Sequence, residues 1–293
     1  MGFSYLPMNL SRRSLLGAGG AAALLGVGGT YVYGELAGST GRAEATALVA
    51  GSLLHVAESV PGASVEAHGS AAVRRMVLEG LREPDAVALA DPRLFSGVSD
   101  RATLFATNAL VVTYDPESGV ADDLREDWLA TVQAEGVRLG RTDPERDPLG
   151  YRTVMALELA EREYDLDVGS VLDSSTVFPE TDLLNVLEGG GVDAAFTYRN
   201  MAVERDLPFV DLPASIDFSD PARVATYASV SYELDHATVR GAPIRYGATA
   251  TTTRGEPWVE RLVSGRERLE ASGFVVPVDY PRCDVRLEFD DPA

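Results

Sequence analysis

From Thr46 onward, short apolar runs alternate with segments whose apolar residues recur every three or four positions. TALVAG (46–51) reads as a strand, after which Leu53, Val56, Ala57 and Val60 fall on one helical face. SVEAHG (64–69) reads as a second strand, with Val73, Met76, Val77 and Leu81 marking the helix after it. DAVALA (85–90), LFATNALVVTY (104–114) and VRLGR (137–141) continue the series of strands. The last of these precedes a helix on which Tyr151, Val154, Met155 and Leu159 align. Leu183, Leu184 and Leu187 predict a short helix stopped by Gly189-Gly190-Gly191, and VDAAFTY (192–198) a strand. YGATAT (246–251) is a strand before one helix carrying Val259, Leu262, Val263 and Leu269.

This alternation predicts an α/β protein with largely parallel sheets and with ligands at the C-terminal ends of strands. Roughly 250 residues of such pattern exceed what one sheet holds, so two lobes with a cleft between them are expected. LFATNALVVTY is the expected crossing between lobes and FVDLPASIDF (209–218) the expected return. The division is then 1–45 as a leading segment, 46–110 as the first part of lobe 1, 111–212 as lobe 2, and 213–293 as the return and C-terminal part of lobe 1.

The leading segment lies outside this pattern. Arg12-Arg13 precede an uncharged run from Ser14 to Tyr33, which resembles a twin-arginine export signal. It is expected to be cleaved near AEATA (43–47) or kept as an N-terminal anchor, placing the working part outside the cytoplasm. Charge agrees with an unusual setting. There are 45 acidic against 25 basic residues, every basic residue is Arg, and the formal net charge is −20. Such a surface repels nucleic acid and anionic lipid, and reads as adaptation to high salt. Cys283 stands alone and His55, His68 and His236 are scattered, so neither a disulfide within the chain nor a Cys- or His-based metal site is expected.

Two Gly-Ser steps, Gly51-Ser52 and Gly69-Ser70, stand where a predicted strand meets a predicted helix. Helix N-termini expose unpaired N–H groups that favour anions. A serine there either caps the helix or offers its hydroxyl to a bound oxyanion. Two such turns after adjacent strands place both hydroxyls on one rim.

Six segments then carry a resemblance: AGSLLHVAESVPGASVEAHGSAAVRRM, DAVALAD, LFATNALVVTY, DPERDPLGYRTVMALELAE, LEGGGVDAAFTYRNMA and PIRYGATA, in that order. Together they resemble the extracellular molybdate/tungstate-binding proteins of archaeal ABC importers, from about residue 46 to about residue 280. The resemblance implies a type II, periplasmic-binding-protein-like fold that closes on one small oxyanion in the cleft between its lobes. It implies a monomer that delivers the anion to a membrane permease and its ATPase, with no cofactor beyond molybdate or tungstate as ligand. Position by position, it implies that Ser52 and Ser70 hydrogen-bond the anion and that the Tyr198 hydroxyl reaches it from the second lobe. It also implies that Asp147 and Glu180 are carboxylate ligands to the Mo or W centre.

Two carboxylates facing a dianion need a reason. At about 4 Å and an effective dielectric near 20, each pair of like unit charges costs roughly 4 kcal/mol. Direct coordination removes the conflict, since Mo(VI) and W(VI) accept two further oxygens, whereas sulfur in sulfate and phosphorus in phosphate do not. The same residues also have ordinary uses, Asp147 in the turn before Pro148 and Glu180 in the first turn of a helix after Pro179. Asp91 is expected to be structural. An enzyme is not expected: there is no G-x-S-x-G elbow, and a chain without Lys has no P-loop lysine. A binding protein for sulfate, phosphate or an organic anion, or a surface sensor, is the alternative.

Overall fold

The computed structural model describes residues 44–234 and 237–287. The export-signal reading of residues 1–45 thus falls almost wholly outside the described residues. Among the described residues, no helix is long and apolar enough to cross a membrane.

In chain order the strands are β1 (Ala45–Ala50), β2 (Ala63–His68), β3 (Ala86–Leu89), β4 (Arg101–Thr107), β5 (Leu110–Tyr114), β6 (Leu139–Thr142), β7 (Thr176–Phe178), β8 (Ala194–Tyr198), β9 (Phe209–Asp211), β10 (Ser231–Leu234), β11 (Ala237–Arg240), β12 (Arg245–Ala250) and β13 (Arg282–Arg286). They form two main sheets. The first runs β13-β4-β12-β3-β1-β2 and the second β7-β6-β8-β5-β9; β10 and β11 pair as a separate hairpin. Each sheet carries helices built on the periodic faces read from the sequence. Leu53, Val56, Ala57 and Val60 are at most 1% exposed, and Met155 and Leu159 are equally inside.

The sheets are mixed rather than largely parallel. β1 pairs parallel with β2 and β3, and β6 with β7 and β8. β12, β13, β5 and β9, however, join antiparallel. The cause is the crossing. LFATNALVVTY is two strands, not one: β4 belongs to the first sheet, β5 to the second, and Asn108-Ala109 joins them. A chain that passes straight from one sheet into the other enters it reversed relative to the helix-connected strands. FVDLPASIDF returns alongside, with Leu110 N–H donating to Asp217 O and Ile244 N–H to Phe218 O.

Two other elements end early. The helix Ser70–Leu78 stops before Leu81, which lies outside it and 58% exposed, so only Val73 of its expected face is fully buried. The C-terminal helix is two, Glu256–Ser264 and Arg266–Ala271, broken at Gly265. Leu269 is nonetheless buried, because the break re-aims the second helix at the same core.

Candidate functional site

Register places the two Gly-Ser steps side by side. Ala50 and His68 are partners at the ends of parallel β1 and β2, so Ser52 and Ser70 leave the sheet at equivalent positions on neighbouring strands about 4.8 Å apart. Neither serine caps its helix: Ala50 and Gly69 occupy the N-cap positions, and neither helix has a side-chain cap bond. Each serine instead sits within the first turn, which leaves its hydroxyl for other work.

That work is ordered by the donors behind each hydroxyl. Ser70 Oγ accepts from the Ala90 N–H at 3.1 Å, so its own proton is left to donate outward. Behind Ser52 stands a buried relay. Ala109 N–H donates to Asn108 Oδ1, which fixes the Asn108 amide so that its Nδ2 donates to Asn200 Oδ1 (2.7 Å) and to the Tyr246 hydroxyl (3.2 Å). The Tyr246 hydroxyl in turn pairs with Ser52 Oγ at 3.1 Å, and with Tyr246 as the donor the Ser52 proton is free for a ligand. Asn200 closes the ring by donating to the Ser52 carbonyl at 2.9 Å. Asn108 and Asn200 are fully buried, and they tie the crossing, the first sheet and the helix Arg199–Glu204 into one unit.

Tyr198 ends β8 and follows the same rule. Arg152 Nη1 donates to its hydroxyl oxygen at 2.7 Å, so the phenolic proton is directed elsewhere. Both residues are buried, at 6% and 8% exposure. Burial pushes the Tyr198 hydroxyl up, against the opposing pull of Arg152. For Arg152, burial works against the charge, but the oxygens of Tyr198 and Tyr151 and the Asp91 carboxylate outweigh it and hold the guanidinium above its usual value. Its carbon lies 5.7 Å from the Tyr151 ring centroid and 5.9 Å from that of Tyr198.

The two carboxylates share a neighbourhood. Asp147 caps the helix Pro148–Glu163, its Oδ1 accepting from Gly150 N–H and the Thr142 hydroxyl, both at 2.9 Å. The turn use read from sequence is therefore real, and it fixes this carboxylate in place. Gly150 is required, since a Cβ there would lie 2.5 Å from the Asp143 carbonyl carbon. Burial pushes Asp147 up, against the bonds from Gly150, Thr142 and Leu149. Glu180 opens the helix Glu180–Glu188 and is exposed to solvent. Its carboxyl is pushed up to about 7, first by desolvation and then by the charge of Asp147. Burial pushes the Tyr246 hydroxyl up, against the bonds with Ser52 and Asn108 and the charge of Arg152, and the charge of Glu180 adds to the rise.

The structure ties Ser52 to Tyr246 and Tyr198 to Arg152 by hydrogen bonds and sets Ser70 beside Ser52 by strand register, while Asp147 and Glu180 stand at the starts of the helices that follow β6 and β7. Asp91 is structural, as expected, capping the turn Pro92–Phe95 and gripping Arg93 through both oxygens. Sequence reading missed Arg152, Asn108 and Tyr246. Arg152 had a visible signal, a lone cation among apolar positions of one helix. Asn108 and Tyr246 had none, since their roles rest on partners 92 to 194 residues away. Among the described residues no cluster of His, Cys, Asp and Glu is arranged to hold a metal ion by itself. The arrangement suits a compact oxyanion: hydroxyl donors from both sheets, one buried cation, and two carboxylates.

Comparisons with known proteins bear on the family and the fold. Residues 60–274 match the family described as bacterial extracellular solute-binding protein. A Haloferax volcanii protein, provisionally named as an ABC transporter molybdenum-binding protein, is 46% identical over 92% of this chain and 93% of its own. The molybdate/tungstate-binding protein WtpA of Thermococcus kodakarensis is 30% identical over 63% of this chain and 62% of its own. In fold, the chain is similar to the periplasmic molybdate-binding protein of Azotobacter vinelandii, with a TM-score of 0.55, 13% identity, and coverage of 80% of this chain and all of that one.

Proposed function

The chain belongs to the bacterial extracellular solute-binding protein family, and on that premise we propose that it captures molybdate or tungstate between its two sheets for an ABC importer. What supports this reading is the family match, together with two acids close enough for the charge of Asp147 to act on Glu180, and the Ser52 and Tyr198 hydroxyls backed by Tyr246 and Arg152. Ser52, Ser70 and Tyr198 donate to the oxo groups, and Asp147 and Glu180 add two oxygens to the metal centre. A dianion that cannot expand its coordination meets only the repulsion of those carboxylates. Arg152 offsets part of the accumulated negative charge and keeps the Tyr198 hydroxyl turned toward the ligand. The partners are a membrane permease and its ATPase, the protein acts as a monomer, and it reaches the cell exterior by the twin-arginine route. The acidic surface suits a high-salt exterior, where a Debye length of about 3 Å at molar ionic strength prevents it from repelling a distant anion.

Separate calorimetric titrations in molar KCl test this reading. Tungstate and molybdate are expected to bind one to one, with sulfate and phosphate silent. Equal or tighter binding of sulfate or phosphate would instead assign the cleft to an anion held by hydrogen bonds alone.

The raised Glu180 gives capture a pH signature. Coordination uses the carboxylate, so the bound state holds the proton less tightly than the free state. Binding then releases protons, and affinity falls as pH drops below about 7. A neutral Glu180 that donated a hydrogen bond to an oxo group would reverse both signs. Titrations near pH 6.5 in two buffers of different ionisation enthalpy count the protons; release is expected, and Glu180→Gln should abolish it. In the free protein the same shift makes this group's contribution fully present below its ordinary value of 4.5 and lost as pH rises to about 7.

A further inference from the structure

The face of the first sheet opposite Tyr246 carries a second concavity, of about 330 Å³. Tyr246 turns toward Ser52, while its neighbour Arg245 points to the other side of β12. There Arg245 shares the cavity with Arg282 and Arg286 of β13 and with the Asp91–Arg93 ion pair, against apolar walls that include Leu104 and Pro243. Arg282 is the register partner of Leu104 across β4, so the grouping follows from strand pairing rather than from chance rotamers.

Arg93 is already held by Asp91, whereas Arg245, Arg282 and Arg286 have no carboxylate partner among the described residues. One buried polar atom of this lining, Arg245 Nε, is orphaned, and so is the hydroxyl of Tyr280, which lies outside the lining. Tyr280 is only 4% exposed, and the charges of Arg245 and Arg282 act on its hydroxyl. In a chain with 45 acids against 25 bases, unpaired guanidinium groups gathered in one cavity are not explained by scarcity of carboxylates. Buried donors without acceptors cost about 1–3 kcal/mol each, more when charged, unless a ligand supplies the acceptor. Guanidinium forks match planar carboxylate and tetrahedral phosphate oxygens in pairs. The volume is that of a small-molecule site.

We propose that this cavity is a second ligand site, separate from the oxyanion cleft, which takes a small organic anion bearing at least two carboxylate or phosphate charges beside a short apolar body. Arg245, Arg282 and Arg286 hold the charges, with Arg245 Nε gaining the acceptor it lacks. The apolar walls distinguish this ligand from a bare inorganic oxyanion.

The test is calorimetric titration of the tungstate-saturated protein with citrate and, separately, with glycerol 3-phosphate, in molar KCl. Saturable binding of either probe, with the same affinity whether or not tungstate is present, is expected; which probe binds tells carboxylate from phosphate. The double change Arg245→Ala, Arg282→Ala should weaken it at least tenfold and leave tungstate affinity within twofold. Should Arg245→Ala fail to fold, Arg282→Glu, at the exposed rim, gives the same reading by charge reversal. The proposal is overturned if neither probe saturates, if tungstate abolishes their binding, or if the arginine changes leave it intact. It is equally overturned if binding arises only in a chain ending at Leu287, because the acidic residues Glu288, Asp290 and Asp291 would then be the occupant.

Discussion

Changing Asp147→Asn and Glu180→Gln together should lower tungstate affinity by about 1,000-fold, some 4 kcal/mol, while sulfate affinity rises from undetectable to measurable. The opposite signs follow from one cause. The carboxylates contribute bonds only to a centre that can accept them, and repulsion of roughly 4 kcal/mol per close pair to any other dianion. Amides of the same shape keep the cap on the helix Pro148–Glu163, since Asn Oδ1 accepts from Gly150 N–H as Asp does. Folding is therefore preserved, and parallel titrations with the two anions read the site rather than the scaffold. Loss of affinity for both anions together would assign the carboxylates to scaffolding.

Arg152→Met should cost about 100-fold in affinity for every oxyanion, without changing their order. The guanidinium is buried and bonded to the Tyr198 hydroxyl, its charge also acts on Tyr246, and among the described residues no other cation is hydrogen-bonded to the Tyr198 hydroxyl. Its removal leaves Tyr198 without the donor that turns its proton outward, and it leaves two carboxylates and a dianion with no internal counter-charge. An orphaned buried hydroxyl also costs about 1–3 kcal/mol, which lowers the denaturation midpoint. Arg152→Lys separates the two effects: it keeps the charge but not the planar fork, and should recover part of the affinity. A change of selectivity on Arg152→Met, with total affinity maintained, would contradict this role.

Burial patterns made most of the scaffold readable. Val56 and Ala57, or Met155 and Leu159, announce their helices because one face of each must be covered by a sheet. The break at Asn108-Ala109 was not readable, because β4 and β5 are both apolar and in register with continuous extended backbone. Only their separate partners, β12 and β8, reveal two sheets. The mixed pairing was hidden for the same reason, since strand direction is a property of the return path. At the site, chemistry local to a turn was legible: the Gly-Ser steps, the Asp147 cap, the acid opening the helix Glu180–Glu188. The relay behind Ser52 was not, because it joins residues from both sheets and the crossing. Of the two uses the Gly-Ser steps offered, capping and donation to an oxyanion, capping is set aside because Ala50 and Gly69 hold the cap positions.

Coordination by Asp147 and Glu180 is the central claim, and X-ray absorption at the molybdenum K edge of the protein with one equivalent of molybdate tests it directly. Free tetrahedral molybdate gives an intense pre-edge feature. Binding should weaken that feature sharply and add two oxygens at longer distance, with both changes reversed in the Asp147→Asn, Glu180→Gln protein if any molybdate is retained. A bound spectrum that keeps the full tetrahedral pre-edge and four equal oxygens would contradict coordination and leave the anion held by hydrogen bonds alone.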